Sequence, residues 1–258
     1  MKIAIIGYGK MGKMVEQIAR AQGHTISVIV DPFATETPPE VPLYKTIAEA
    51  DLISADAAIE FTQPSTAVAN LIALAERKIP TVTGTTGWQE RMGDVAMAVE
   101  AAKSALLWSS NFSIGVNLFY RIAWYAAELA NEFPEYDIGG FEAHHNKKLD
   151  SPSGTAKTLA EGVISKIERK KKIVWETLDR RPEADELHFP SLRMGAVPGQ
   201  HSLFFDSAAD TIEITHTARS REGFASGAVR AAQWLAAEKR QGIFTIDEML
   251  KEILKGRL

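Results

Sequence analysis

The chain is 258 residues long, with 45% hydrophobic and 24% charged residues and a formal net charge of −4. This composition excludes a disordered chain, whose low hydrophobicity cannot offset the entropy of ordering, and at roughly 100–200 residues per domain the length allows one large domain or two modest ones. Cysteine is absent, which excludes disulfides, thiolate nucleophiles and zinc–thiolate sites, and the slight acidity argues against general nucleic-acid binding, which draws on clustered Lys and Arg.

Lys2–Ile6 is a short apolar run that stops at glycine, as a buried parallel strand does. Residues 13–22 place Met14, Val15, Ile18 and Ala19 at helical spacing before Gly23. The β-branched run Thr25–Val30 reads as a second strand. Residues 57–61 and Thr81–Thr83 read as further strands with a helix over 65–77 between them, and a helix over 94–103 leads to a strand at Ala105–Trp108. This β-α-β alternation predicts a parallel sheet with right-handed crossovers.

The pattern changes near residue 116. A long helix is expected over 116–131, a strand over 136–144 ending in polar residues, and a helix over 153–169. Strand-like runs at 173–178, 199–207 and Thr211–Thr217 follow with little helix between them, two of them alternating apolar and polar residues as in a half-exposed sheet. A last helix is expected over 226–239, returning to the first domain. The reading is α/β: a parallel sheet plus an α+β insertion with a mixed or antiparallel sheet. The basic run at 169–172 has no interleaved aromatic residue and reads as a solvated helix end. No apolar run approaches the ~18 residues that span a bilayer, and the first residues enter a strand pattern without a charged-then-apolar leader, so a cytoplasmic protein is expected.

Three loops of the first half carry candidate chemistry. Gly7-Tyr8-Gly9-Lys10-Met11-Gly12 is a GxGxxG directly after the first strand and opening the first helix. Its glycines permit a tight turn and a close backbone approach to pyrophosphate, on which the helix N-terminus presents free N–H groups. Asp31 ends the second strand, where a carboxylate can accept hydrogen bonds from an adenosine ribose. The alternative is a glycine-rich turn with a strand-end aspartate. Phe61-Thr62-Gln63-Pro64-Ser65 and Gly84-Thr85-Thr86-Gly87 each follow a strand of the same sheet. Ligands of open parallel sheets bind outside those strand ends. Either loop alone is an ordinary turn; beside the GxGxxG they shift toward cofactor contact.

The densest polar cluster is residues 142–156, EAHHNKKLDSPSGTA. His144 and His145 titrate near neutral pH and can donate or accept protons, and the Ser-Pro-Ser-Gly-Thr segment opens a helix, where free N–H groups suit a carboxylate. The bland alternative is a capped helix behind a solvated basic loop. A metal site is the weakest reading, because adjacent strand histidines point apart and no Cys completes a ligand set. His24 and His188 read as surface or turn residues, His201 and His216 as sheet or interface residues, and Asp179, Asp185 and Glu186 as solvated acids.

The 142–156 run closely resembles the signature of the 4-hydroxy-tetrahydrodipicolinate reductase (dihydrodipicolinate reductase) family, E-x-HH-x-x-K-x-D-x-PSGTA. The resemblance extends along most of the chain through residues 7–12, 61–64, 84–87, 110–117 (SNFSIGVN), 193–205 and 216–228. It implies an NADH- or NADPH-dependent oxidoreductase of lysine and diaminopimelate biosynthesis that reduces a small cyclic dicarboxylate with loss of water. On this resemblance His144 and Lys148 are catalytic, and His145, Gly154 and Thr155 contact substrate. Gly7, Tyr8, Gly9, Lys10, Met11, Gly12, Asp31, Phe61, Thr62, Gly84, Thr85, Thr86, Ser109, Ser110, Asn111 and Phe112 contact the cofactor, and no metal is used. It also implies a Rossmann-type dinucleotide-binding domain over residues 1–115 and 225–258, a substrate-binding and oligomerisation domain over 116–224, a homotetramer, and no nucleic-acid or membrane partner.

The chain departs from the pattern of many members. Pro32 and Lys10 stand where Arg is common, Glu60 stands where Asp is common, and the glycine loop looks one residue shorter than in some members. Asp31 favours a free ribose 2′-hydroxyl, hence NADH with some NADPH use. Two other classes compete: another two-domain nicotinamide-dependent amino-acid-type dehydrogenase, and a dinucleotide sensor without catalysis. The His-Lys cluster argues against both.

Overall fold

A computed structural model describes residues 1–254. The chain begins with β1 (Lys2–Ile6), α1 (Lys10–Ala21), β2 (Thr25–Val30), β3 (Leu43–Tyr44), β4 (Ala57–Glu60), α2 (Pro64–Glu76), β5 (Thr81–Thr83), α3 (Met92–Ala102) and β6 (Ala105–Trp108). It continues through α4 (Ile114–Asn131), β7 (Asp137–His144), α5 (Gly154–Ile164), β8 (Lys172–Val174), β9 (Glu186–His188), β10 (Ser191–Arg193), β11 (Gln200–Asp206) and β12 (Thr211–Thr217). It ends in α6 (Glu222–Ala237), β13 (Gly242–Thr245) and α7 (Ile246–Ile253). Two compact units result among the described residues, one from residues 1–113 with the chain from 222 on and one from 114–221.

The first unit is a parallel seven-stranded sheet in the order β13-β6-β5-β4-β1-β2-β3. From β1 the chain adds β2 and β3 on one side and then β4, β5 and β6 on the other, which makes the carboxyl ends of β1 and β4 the switch point where open sheets bind ligands. Strands β1 and β4 are buried almost throughout, since helices cover the sheet. Helix α1 starts at Lys10, earlier than apolar spacing alone predicts, because the glycine loop turns directly into it. β13 and α7 were not expected; a Thr245–Glu248 capping box starts α7.

The second unit holds a four-stranded mixed sheet, β10-β7-β11-β12, in which β10 runs parallel to β7 and the other pairs are antiparallel. Val116, Phe119, Tyr120, Ala123 and Ala127 form one face of α4 and pack with Leu159, Ala160 and Val163 of α5 against Ile138, Leu203, Phe205 and Phe189. Phe189 is fully buried, and a Cβ at Gly140 would press into its ring, so Gly140 makes the room for it. Losing such a ring costs about 3–5 kcal/mol. The helix expected over 153–169 stops at Ile164, and the strand expected over 173–178 shrinks to β8, which pairs in parallel with β9 as a separate two-stranded sheet. Two polar expectations are corrected. Glu186 is buried rather than solvated, because Arg180 clamps its carboxylate at 2.7 and 2.9 Å. His188, read as a surface or turn residue, lies partly exposed in β9 and not in a turn, with Nε2 3.0 Å from the Glu176 carbonyl.

Candidate functional site

In the first unit, four loops leave the carboxyl ends of adjacent strands. Gly7 N–H donates to Val30 O, Phe61 N–H to Ile6 O, and Gly84 N–H to Glu60 O. The loops are tied to one another: Thr62 N–H donates to Thr85 Oγ1 at 2.9 Å, the Trp88 indole donates to Thr85 O at 2.8 Å, and the Phe61 and Phe112 rings meet edge-on. Ser109 Oγ donates to Asn111 O and accepts from Asn111 N–H, which folds the Ser109–Phe112 turn. Glu60, fully buried, accepts from the hydroxyls of Thr62 and Thr83, so this carboxylate is satisfied inside the sheet.

Glycine builds this region for steric reasons. Gly7 has φ +89°, and a Cβ there would strike the Phe61 carbonyl; a Cβ at Gly12 would strike Gly7 O. A Cβ at Gly84 would enter the Phe61 ring, and one at Gly227 of α6 would strike Phe112 O. At Gly9, by contrast, a Cβ would touch nothing of the protein, and the residue is exposed. Lys10 and Met11 form the first turn of α1, whose N-cap Gly9 offers no side-chain bond; the N–H groups there remain open to an anion. Asp31 Oδ2 accepts from Tyr8 N–H at 2.6 Å, and Oδ1 accepts from Phe33 and Ala34 N–H. Burial opposes its charge, but these three donors win and hold the carboxyl below its ordinary range. The Tyr8 hydroxyl donates to Glu16, and burial with that carboxylate raises it to about 12. Thr86 and Ser110 are exposed. A glycine loop with no side chain in the way, an open helix N-terminus and a strand-end carboxylate fit a nicotinamide dinucleotide.

In the second unit the polar cluster sits at the end of β7. Glu142 and His144, two apart on a strand, share one face, and His144 Nδ1 lies directly against Glu142 Oε2. Burial pushes the His144 imidazole below its ordinary pKa; Glu142 opposes that shift, while Lys148 and Arg193 add to it. Lys148 Nζ pairs with Asp150 Oδ1 at 2.8 Å. Asp150 sits below the ordinary carboxyl range, chiefly through its bond from Lys148. His145 follows β7, and its carbonyl accepts from Lys148 N–H at 3.1 Å. Ser153 caps α5 by accepting from Ala156 N–H, which leaves Gly154 and Thr155 as the helix's first two residues, at its positive end.

Sequence reasoning missed four members of this group. Glu142 is fully buried, Arg193 reaches it from β10, and His201 of β11 pairs in register with Glu142. The His201 ring stands edge-on to that of His144, with Nε2 3.2 Å from Ser153 Oγ. Burial is the main reason the His201 imidazole falls to about 3. Gly199, with φ +149°, passes the His144 ring so closely that a Cβ would lie 3.0 Å from Nε2. The period-2 alternation of β7 placed Glu142 beside His144; only cross-strand register brings in His201 and Arg193. Glu142, His144 and His201 each bring a ligand-type atom within 4.8 Å of the others. Oε1 of that carboxylate accepts from the Arg193 guanidinium and the Ser153 amide N–H, and Oε2 lies against the His144 ring.

A parallel sheet with a glycine loop at its switch point, and a separate unit carrying a His-Lys array, define a two-domain nicotinamide-dependent oxidoreductase. The family model described as dihydrodipicolinate reductase, N-terminus, matches residues 1–112, and its C-terminus counterpart matches residues 115–250. The chain belongs to the dihydrodipicolinate reductase family. It is 39% identical to a 4-hydroxy-tetrahydrodipicolinate reductase of Christiangramia forsetii over 99% of this chain and 100% of that protein. It is 37% identical to one of Archaeoglobus fulgidus over 97% and 100%. A dipicolinate-bound dihydrodipicolinate reductase from Paenisporosarcina sp. TG-14 shares the fold, with a TM-score of 0.76 at 21% identity, covering 95% of this chain and 97% of that one.

Proposed function

We infer that the chain catalyses the NADH- or NADPH-dependent reduction of 4-hydroxy-tetrahydrodipicolinate to tetrahydrodipicolinate, with loss of water, in lysine and diaminopimelate biosynthesis. One observation carries the reading: in a member of this family, the signature residues 142–156 converge on a buried Glu-His contact with a lysine ion pair beside it. NAD(P)H supplies the hydride when bound; the chain's own residues bind, orient and move a proton. The four strand-end loops of residues 7–12, 61–62, 84–86 and 109–112, with Asp31, hold the dinucleotide. His145 and the Gly154–Thr155 opening of α5 take the substrate carboxylates, which need cations and N–H donors. His144 or Lys148 delivers the proton as the ring is reduced.

In this reading residues 1–115 and 225–258 serve the cofactor and 116–224 the substrate and assembly. The assembly is a homotetramer, a state supported by the family resemblance and by β12, an edge strand with Ile212 52% exposed. A cytoplasmic location accords with the finding that no described helix is long and apolar enough to cross a membrane. The test follows the loss of NAD(P)H absorbance with substrate generated in situ from pyruvate and aspartate semialdehyde. Substrate-dependent oxidation is expected. Nucleotide binding without oxidation would favour a sensor, and turnover of an amino acid instead would favour the dehydrogenase reading.

A further inference from the structure

We propose that Glu142 is the positioning residue of the substrate unit, holding the His144 ring, the opening of α5 and, through Arg193 and Asp150, the Lys148 side chain in one array. This rests on the reading of His144 and Lys148 as the proton-transfer groups.

The geometry makes Glu142 a hub. Its Oε2 faces His144 Nδ1. Its Oε1 accepts from Ser153 N–H at 3.2 Å, the residue that caps α5. The same oxygen accepts from Arg193 Nη2 at 2.8 Å. Arg193 Nη2 also donates to the Asp150 carbonyl at 2.8 Å, and the Asp150 side chain holds Lys148. One carboxylate therefore reaches each candidate group in at most three steps. Glu142 is fully buried, and a buried carboxylate without partners is strongly penalised. Here burial opposes the charge, but the Ser191 hydroxyl, the Arg193 guanidinium and the neighbouring His144 imidazole outweigh it and hold the carboxyl below its ordinary range.

The consequence for His144 is a fixed tautomer. An acceptor-only carboxylate at Nδ1 requires the proton on Nδ1, which leaves Nε2, beside Gly199, as the exchanging position. When Nε2 takes a proton, the adjacent carboxylate stabilises the imidazolium. Four groups face this ring: Glu142 of β7 favours the charged form, whereas Lys148 of the loop, Arg193 of β10 and the buried His201 of β11 do not. The arrangement parallels the way a buried acid orients a catalytic imidazole in hydrolases.

The test uses Glu142→Gln, which keeps the shape and removes the charge, and Glu142→Asp, which keeps the charge. The full-length protein is assayed with NADH and the in situ substrate. In Glu142→Gln, kcat is expected to fall on the order of 100-fold while the KM for NADH stays within about threefold. The pH limb that reports His144 is expected to shift to lower pH, because the carboxylate that favours the imidazolium is gone. Glu142→Asp is expected to recover at least tenfold of that loss. A merely structural role would lower kcat without moving the pH limb, and that result would overturn the proposal. A second measurement is independent of turnover and of whether the variants fold: nitrogen NMR of the wild-type histidines should find His144 protonated on Nδ1 between about pH 7 and 9. Protonation on Nε2 instead would overturn the proposal. A wild-type chain that shows the Nδ1 tautomer but never oxidises NAD(P)H with this substrate would overturn the functional reading on which the proposal rests.

Discussion

The two candidate sites are built by opposite means. The dinucleotide loops of the first unit are backbone constructions: Gly7, Gly12, Gly84 and Gly227 are glycines because a Cβ would collide with a carbonyl or a ring. The cluster of the second unit is a side-chain construction, in which Glu142, His144, Lys148, Asp150 and Arg193 depend on one another's charge. A backbone site fails by collision, all at once and at any pH. A charge-coupled site fails by degrees, and the failure depends on pH.

The sharpest break in this contrast is Gly12→Val. The side chain would have to displace the Gly7 carbonyl at the turn itself, so NADH affinity, read by fluorescence titration, should fall more than 100-fold across pH 6–9. Overpacking should also cost about 1–3 kcal/mol of stability. Near-normal affinity would remove the steric account of the loop. Next come His144→Gln and Lys148→Ala, each expected to lower turnover by about 10²–10⁴-fold while NADH binding survives. Near-normal turnover in both variants would break the assignment of proton transfer to this cluster.

A smaller effect concerns a side chain at the edge of the backbone site. Asp31 should give a lower KM for NADH than for NADPH, because a 2′-phosphate would meet a carboxylate held ionised by three N–H groups. Exposed Lys10 leaves some NADPH use. A strong NADPH preference would overturn this. The smallest effect is on stability. His201 has its folded pKa depressed to about 3, so the unfolded chain binds the extra proton between about pH 6.5 and 3. Its contribution is complete above the unfolded pKa and is lost as pH falls through that window, at up to about 1.4 kcal/mol per pH unit. In His201→Asn the decline of unfolding free energy with acid should be shallower by one proton; an unchanged slope would place His201 outside the buried array.

Much of the first unit was legible because its information is local. A strand, a turn of glycines and a helix occupy adjacent positions, and apolar periodicity marks each. The short β3, β13 and α7 escaped, since two to eight residues carry little periodic signal. In the second unit the run from Glu142 to Thr155 was legible as a motif, yet its hub was not. Glu142 stood in plain view as the first residue of that run, on the same strand face as His144, but nothing local says that this face is buried.

The sequence by itself determined the class of sheet, the glycine-dependent turn and the concentration of His and Lys in one loop of a chain with no cysteine. Tertiary structure alone decided which strands lie side by side. β10 brings Arg193 alongside His144, and β11 brings His201 opposite Glu142. Those pairings join residues 49 and 59 positions apart. Register across strands depends on how whole faces bury their apolar side chains, which no short segment encodes. In a dry interior, the same register lets a single carboxylate govern the groups around it.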